Sequence, residues 1–143
     1  KSKWGSLRAA LILLFKKGSF FMLKKTIKYV DFNEEEVTED FYFNLTTPEV
    51  TKMIAKIGDD IDKHAEKLAK EEDHEGIIDF VEMLILTSYG VKSEDGKRFV
   101  KSKEARENFE YSAAYAELFE QLMTDPEQSK AFGQGLMRGA KAK

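Results

Sequence analysis

Residues 37–45, VTEDFYFNL, alternate between apolar and polar side chains, and this pattern constrains the fold more than any other in the chain. The apolar positions of one parity are Val37, Phe41, Phe43 and Leu45. Neighbouring side chains of a strand point to opposite faces, so the alternation predicts a strand with one buried and one solvated face. Residues 23–32 supply a second strand, with Ile27 and Tyr29 on its apolar face.

A polar loop, NEEE, separates the two predicted strands at residues 33–36. Such a short connection predicts an antiparallel β-hairpin, in which Asn33 is the residue best able to adopt the left-handed conformation of the turn. A two-stranded hairpin is not stable by itself in water. The hairpin must therefore lie on helices or pair with the strand edge of another chain.

The segment after the hairpin has helical periodicity. In TTPEV, Thr47 is the predicted N-cap and Pro48 the first helical residue, where its missing N–H has no cost. An apolar stripe then recurs at spacings of three and four from Val50 to Leu68. This stripe predicts one helix with a kink at Gly58.

Residues 76–90, GIIDFVEMLILTSYG, are apolar nearly all round, with Asp79 and Glu82 their only charges. A helix of this kind is either the central helix of the domain or one that a partner covers. Tyr89 and Gly90 are its predicted C-terminal cap.

Further caps and turns divide the rest of the chain. They are a turn at Asp95–Gly96, a helix cap at Ser102, and a cap at Thr124 or Asp125 followed by Pro126 in the first turn. A broad apolar face predicts that the helix after Ser102 continues to Met123. The glycine-rich, basic tail at 133–143 is expected to be frayed.

These patterns predict an α+β fold, with an N-terminal β-hairpin followed by a mainly α-helical bundle of about four helices. Residues 22–143 are expected to form a single domain, which is large enough to bury a core without disulfides or metals.

Residues 1–21 differ from the rest, with five basic residues and no acidic one. The apolar run at 9–15 is too short to span a membrane, which takes about 20 residues. Three interpretations remain: an amphipathic anchor of a peripheral membrane protein, a helix packed on the domain, or a translated leader that precedes a native start at Met22. We favour the leader, because codons for KKGS at 16–19 can form a purine-rich ribosome-binding site at a suitable distance from Met22.

The charge of the remaining chain limits its partners. Without residues 1–21, 18 basic residues stand against 26 acidic ones, a net charge of −8. A chain with this net negative charge repels the phosphates of nucleic acids, so we expect no nucleic-acid partner. A basic or apolar protein is the more plausible partner. The sequence also argues against a membrane partner for this part of the chain and leaves self-association into a homo-oligomer open.

The sequence carries no catalytic or metal-binding motif that we can identify. The chain has no cysteine, and its two histidines are His64 and His74. Asp60 and His64 lie four residues apart on a predicted helix, but a closed zinc site needs about four ligands. We therefore expect no metal, no cofactor and no enzymatic activity.

Apolar residues on two of the predicted helices are candidates for contact with a partner. They are Phe80, Met83, Leu84, Tyr111, Tyr115 and Phe119. The alternative interpretation is that these side chains simply belong to the core, which the helical spacing favours.

Four segments, in order, resemble the tail assembly chaperones of long-tailed bacteriophages. They are KKTIKYVDFN, TEDFYFNLT, LILTSYGVKSEDGKRFVKS and AYAELFEQLMTDPEQSKAFGQGL. The resemblance covers residues 22–137, and its most specific part is SYGVKSEDGKRF followed by the helix that contains Tyr115 to Phe119. The chain departs from the family pattern after DFN, where Asn-Glu replaces the expected Asn-Gly.

The resemblance implies a non-enzymatic role in the cytoplasm of an infected bacterial host. Its implied partners are the tape measure protein, which the chaperone binds, and the tail tube protein, whose polymerisation it promotes. It also implies that the chaperone is absent from the mature virion.

Overall fold

The computed structural model of the protein describes residues 22–141. The predicted α+β class is confirmed: an antiparallel four-stranded sheet, in the order β1-β2-β3-β4, is combined with helices. The strands are β1 (Leu23–Val30), β2 (Glu36–Phe43), β3 (Tyr89–Lys92) and β4 (Phe99–Val100). The helices are α1 (Thr47–Ile57), α2 (Ile61–Lys70), α3 (His74–Ser88), α4 (Lys103–Glu110), α5 (Ala113–Thr124) and α6 (Pro126–Lys141).

The N-terminal β-hairpin is confirmed as the pair β1–β2, with Ile27 opposite Glu39 and Leu23 opposite Phe43. The sheet is larger than predicted, because β3 pairs with the end of β2 and β4 pairs with β3. The prediction of a turn at Asp95–Gly96 is confirmed, since Gly96 has a φ of 73° in the loop between β3 and β4.

The turn of the first hairpin differs from the prediction at one residue. Glu34, with a φ of 62°, takes the left-handed conformation that the sequence assigns to Asn33. The carboxylate of Asp31 determines this geometry by accepting hydrogen bonds from the backbone N–H of Asn33 (2.8 Å) and of Glu35 (3.0 Å). The left-handed residue therefore falls one position later than predicted.

The prediction of one long helix through Gly58 is wrong. Gly58 has a φ of 83° and ends α1, donating its backbone N–H to the carbonyl of Ile54. The N-cap of α1 is Thr46, not Thr47, because Thr46 and Glu49 form a reciprocal capping box. The described residues thus contain six helices, where about four were predicted.

The second additional break lies between α4 and α5. Ser112 caps α5 by accepting a hydrogen bond from the backbone N–H of Tyr115, and its own hydroxyl donates to the carbonyl of Phe109. The predicted cap at Ser102 is confirmed, and of the two residues predicted for the next cap, Thr124 and Asp125, the structure uses Asp125. Residues 133–141, which were expected to fray, continue α6 in the structure, and Leu136 is buried.

The core lies between one face of the sheet and the helices. Phe43, on the inner face of β2, is fully buried and meets rings from β3, α4 and α6. These rings are Tyr89, Phe109 and Phe132, with centroids 5.8, 6.0 and 5.2 Å from that of Phe43. The sequence required the hairpin either to pack on helices or to pair with another chain. In the structure it packs on helices of its own chain.

Two sequence-based expectations concern residues outside the described part of the chain. The leader before Met22 and the alternative membrane anchor both fall on residues 1–21, so they remain predictions. Within residues 22–141, none of the helices combines the length and the apolar character needed to cross a bilayer.

Candidate partner-binding surface

Helix α3 carries three of the six predicted contact residues. Asp73 caps the helix by accepting a hydrogen bond from the backbone N–H of Gly76 at 3.0 Å. α3 packs against α2 and α5, and its fully buried positions include Ile85 and Ser88. Val81 is buried as well, whereas the other apolar residues of the helix stay partly exposed, and Ile78 is 42% exposed. α3 is therefore a helix between two others that still presents apolar surface outward.

The six candidate residues occupy two kinds of position. Five of them are half-buried and pack against the core: Phe80, Met83, Leu84, Tyr115 and Phe119. The sixth, Tyr111, follows the end of α4 and is 70% exposed. Each of the five thus contributes to the core and leaves part of its side chain accessible to a partner.

α5, which carries two of the candidates, packs against α3, whereas Phe80 of α3 contacts a residue of α2. Tyr115 and Phe119 are ring neighbours on α5, with centroids 5.9 Å apart. The carboxylate of Glu82 on α3 acts electrostatically on Tyr115. Phe80 instead packs edge-on against the imidazole of His64 on α2, at 5.5 Å. The structure therefore does not gather all six residues into one patch.

Three tyrosines of the described residues have a raised pKa, and burial is the main cause of the upward shift at Tyr89. The pKa of Tyr115 is raised to about 12, first by burial and then by the nearby carboxylates of Glu82 and Glu110. The pKa of Tyr29 is also raised to about 12, mainly because its hydroxyl donates a hydrogen bond to Glu39.

Between pH 10 and 12 Tyr29 and Tyr115 should lose protons in the unfolded chain but keep them in the folded one. Unfolding then releases protons, so the free energy of unfolding should fall as the pH rises through this window. Tyrosinate absorbance should show a late step that Tyr115→Phe and Tyr29→Phe each reduce. An absorbance step unchanged in both variants would contradict the assignment.

Two further observations concern polar side chains of the described residues. Across residues 22–141, no three histidine, aspartate or glutamate side chains converge in a way that could hold a metal ion. A shallow cleft is lined by Glu49, Leu86, Thr87, Lys101 and Arg106. Within it Lys101 pairs with Glu49 at 2.6 Å, an arrangement that connects α1 to the segment before α4.

The structure also exposes apolar side chains that the sequence did not single out. Phe32 and Val30, at the tip of the first hairpin, are 81% and 57% exposed. The sequence placed Phe32 inside the first strand, but β1 ends at Val30. One feature of the sequence could have indicated this exposure: Phe32 directly precedes the polar turn residues, and a residue at that position is not expected to reach the core. Val91 and Val100, opposite each other on β3 and β4, are 45% and 40% exposed.

The described residues form an α+β domain with a few exposed apolar and aromatic side chains on an otherwise mostly charged and polar surface. A family model described as phage tail assembly chaperone matches residues 22–139. The chain belongs to this family, as the sequence resemblance predicted. No curated protein and no solved structure matches the chain.

Proposed function

We propose that this protein binds the tape measure protein of its phage and promotes the polymerisation of tail tube subunits around it. The family match over residues 22–139 carries this proposal. The role is non-enzymatic: the protein acts in the cytoplasm of the infected host and is absent from the mature virion. Its direct partners are the tape measure protein and the tail tube protein.

The surface of the domain is suited to such a role. A net charge of −8 outside residues 1–21 keeps the free chaperone soluble and favours basic segments of a partner. The half-buried residues of α3 and α5, together with the exposed Tyr111, offer apolar contacts that are each small. Many weak contacts along one long partner permit both tight coating and later displacement.

The proposal predicts that co-expression keeps the tape measure protein of the same genome soluble and that the two proteins co-purify. The measurement is the soluble fraction of the tape measure protein with and without the chaperone. A tape measure protein that stays insoluble and unbound in the presence of folded chaperone would refute the proposal.

A pair of surface variants can locate the contact. Tyr111→Ser removes an exposed ring and should weaken retention of the tape measure protein about 10-fold, the usual effect of losing an aromatic contact. Val100→Thr is the matched control, since it changes an exposed apolar side chain on β4 and keeps its shape. Equal retention by both variants would remove Tyr111 from the contact surface.

A further inference from the structure

The tip of the β1–β2 hairpin presents the most exposed large hydrophobic side chain of the described residues. Phe32 is 81% exposed, and Val30, two residues earlier, is 57% exposed. A single exposed hydrophobic residue is common on protein surfaces and needs no explanation by itself. The tip differs because its backbone is held in one conformation and because it is rimmed by carboxylates.

Four hydrogen bonds hold the turn around Phe32. The backbone N–H of Asp31 donates to the carbonyl of Glu35 at 2.9 Å, and that of Glu34 donates to the carbonyl of Asp31 at 3.0 Å. The Asp31 carboxylate accepts the other two, from the backbone N–H of Asn33 and of Glu35. The ring is therefore carried by an ordered turn, which reduces the entropy that binding must remove.

Carboxylates outnumber cationic groups around the ring. Glu34 and Glu35 are exposed and, among the described residues, have no ion-pair partner. Glu36 pairs with Lys28 at 3.8 Å, but both side chains are more than two-thirds exposed, at 69% and 68%. Lys28 therefore offsets one carboxylate, while Glu34 and Glu35 leave the rim with a net negative charge. The tip is thus an aromatic side chain surrounded by negative charge.

We propose that this hairpin tip, formed by Val30, Phe32, Glu34 and Glu35, is a docking element for an apolar segment flanked by lysine or arginine. The inference rests on the proposed function, and it assigns that segment to the tape measure protein. A second copy of this chain is a poorer occupant, because an acidic tip would meet a body of net charge −8. The tip shares no residue with the candidate set on α3 and α5.

The test uses the full chain co-expressed with the tape measure protein, with binding measured by co-purification and by a competition titration. Phe32→Ser should weaken binding about 10-fold or more, because a central aromatic contact is lost. Its thermal unfolding should match that of the unaltered protein, since Phe32 is 81% exposed and buries little surface in the fold. Val100→Thr, the matched control, should bind within about twofold of the unaltered protein.

The carboxylate rim has its own test. The double variant Glu34→Gln with Glu35→Gln should weaken binding a few-fold and should reduce its dependence on salt, because exposed charges act at long range and are screened. Binding by this variant that is as tight and as salt-dependent as that of the unaltered protein would overturn the electrostatic part of the inference.

The outcomes separate the docking element from the function on which it rests. If the unaltered protein binds the tape measure protein and Phe32→Ser binds equally well, the docking element is refuted and the proposed function stands. If the unaltered protein fails to bind, both are refuted. If Phe32→Ser changes the elution of the free chaperone to that of a smaller species, the tip lies between copies of this chain, which also overturns the assignment.

Discussion

Replacing Phe43 with alanine should lower the free energy of unfolding by about 4 kcal/mol, the range found for large-to-small changes of a buried aromatic residue. Phe43 has no exposed surface. Its ring meets those of Tyr89, Phe109 and Phe132 at centroid distances of 6.0 Å or less. The substitution therefore leaves a cavity where β2, β3, α4 and α6 meet, and several elements would have to move to fill it.

Denaturant unfolding followed by circular dichroism measures this effect. Phe32→Ala is the matched control, because it is the same chemical change at a residue that is 81% exposed. This control should change the free energy of unfolding by no more than about 0.5 kcal/mol. A Phe43→Ala protein about as stable as the control would mean that the aromatic cluster does not hold the hairpin on the helices.

The hairpin could be predicted from the sequence because the residues that specify it are close together in the chain. A period of two over residues 37–45, a short polar loop and a matching strand are all contained in about 20 residues. Strands β3 and β4 could not be found in this way. They have four and two residues, and β3 is identified by its pairing with β2, in which Tyr89 lies opposite Phe43, 46 positions away in the sequence.

The breaks between helices were missed for a different reason. α1 and α2 both direct apolar residues to the same core, so the spacing from Val50 to Leu68 continues across Gly58 although the helix does not. The left-handed conformation of Gly58 is a backbone property that periodicity does not report. At Ser112 the cap residue was present in the sequence, but the apolar pattern on both sides concealed it.

For the candidate contact residues, helical spacing identifies apolar positions but does not predict their exposure. The sequence could name Phe80, Tyr115 and Phe119 as apolar positions but could not decide between core and partner contact. In the structure they are half-buried, which is compatible with both. Phe32 could not be recognised because its exposure depends on where β1 ends and on the turn that Asp31 builds.

Lys101 and Glu49 form the least exposed ion pair described in the structure. Their side chains are only 17% and 26% exposed, and the ammonium lies 2.6 Å from the carboxylate. The ammonium also donates a hydrogen bond to the backbone carbonyl of Asn44, and the carboxylate accepts one from the backbone N–H of Thr46. Burial lowers the pKa of Lys101, while Glu49 opposes that shift.

Lys101→Met should therefore lower the free energy of unfolding by about 2–3 kcal/mol, because it leaves the carboxylate of Glu49 without its partner in a poorly hydrated site. Methionine keeps the apolar stem of lysine, so the loss reports the charge and not the packing. Lys28→Met, which breaks the exposed pair with Glu36, is the control and should cost less than about 0.5 kcal/mol.

A double-mutant cycle separates the pair from the rest of the Glu49 contacts. Glu49→Gln retains a side-chain oxygen for the capping box with Thr46 but removes the negative charge. With Lys101 already replaced, this second change should cost little or even restore stability, because no buried charge then lacks a partner. The coupling energy should be at least about 1 kcal/mol. Additive effects of the two substitutions would show instead that Lys101 acts through its other contacts, the carbonyl of Asn44 and the ring of Phe99, and that α1 and the segment before α4 are not joined by charge.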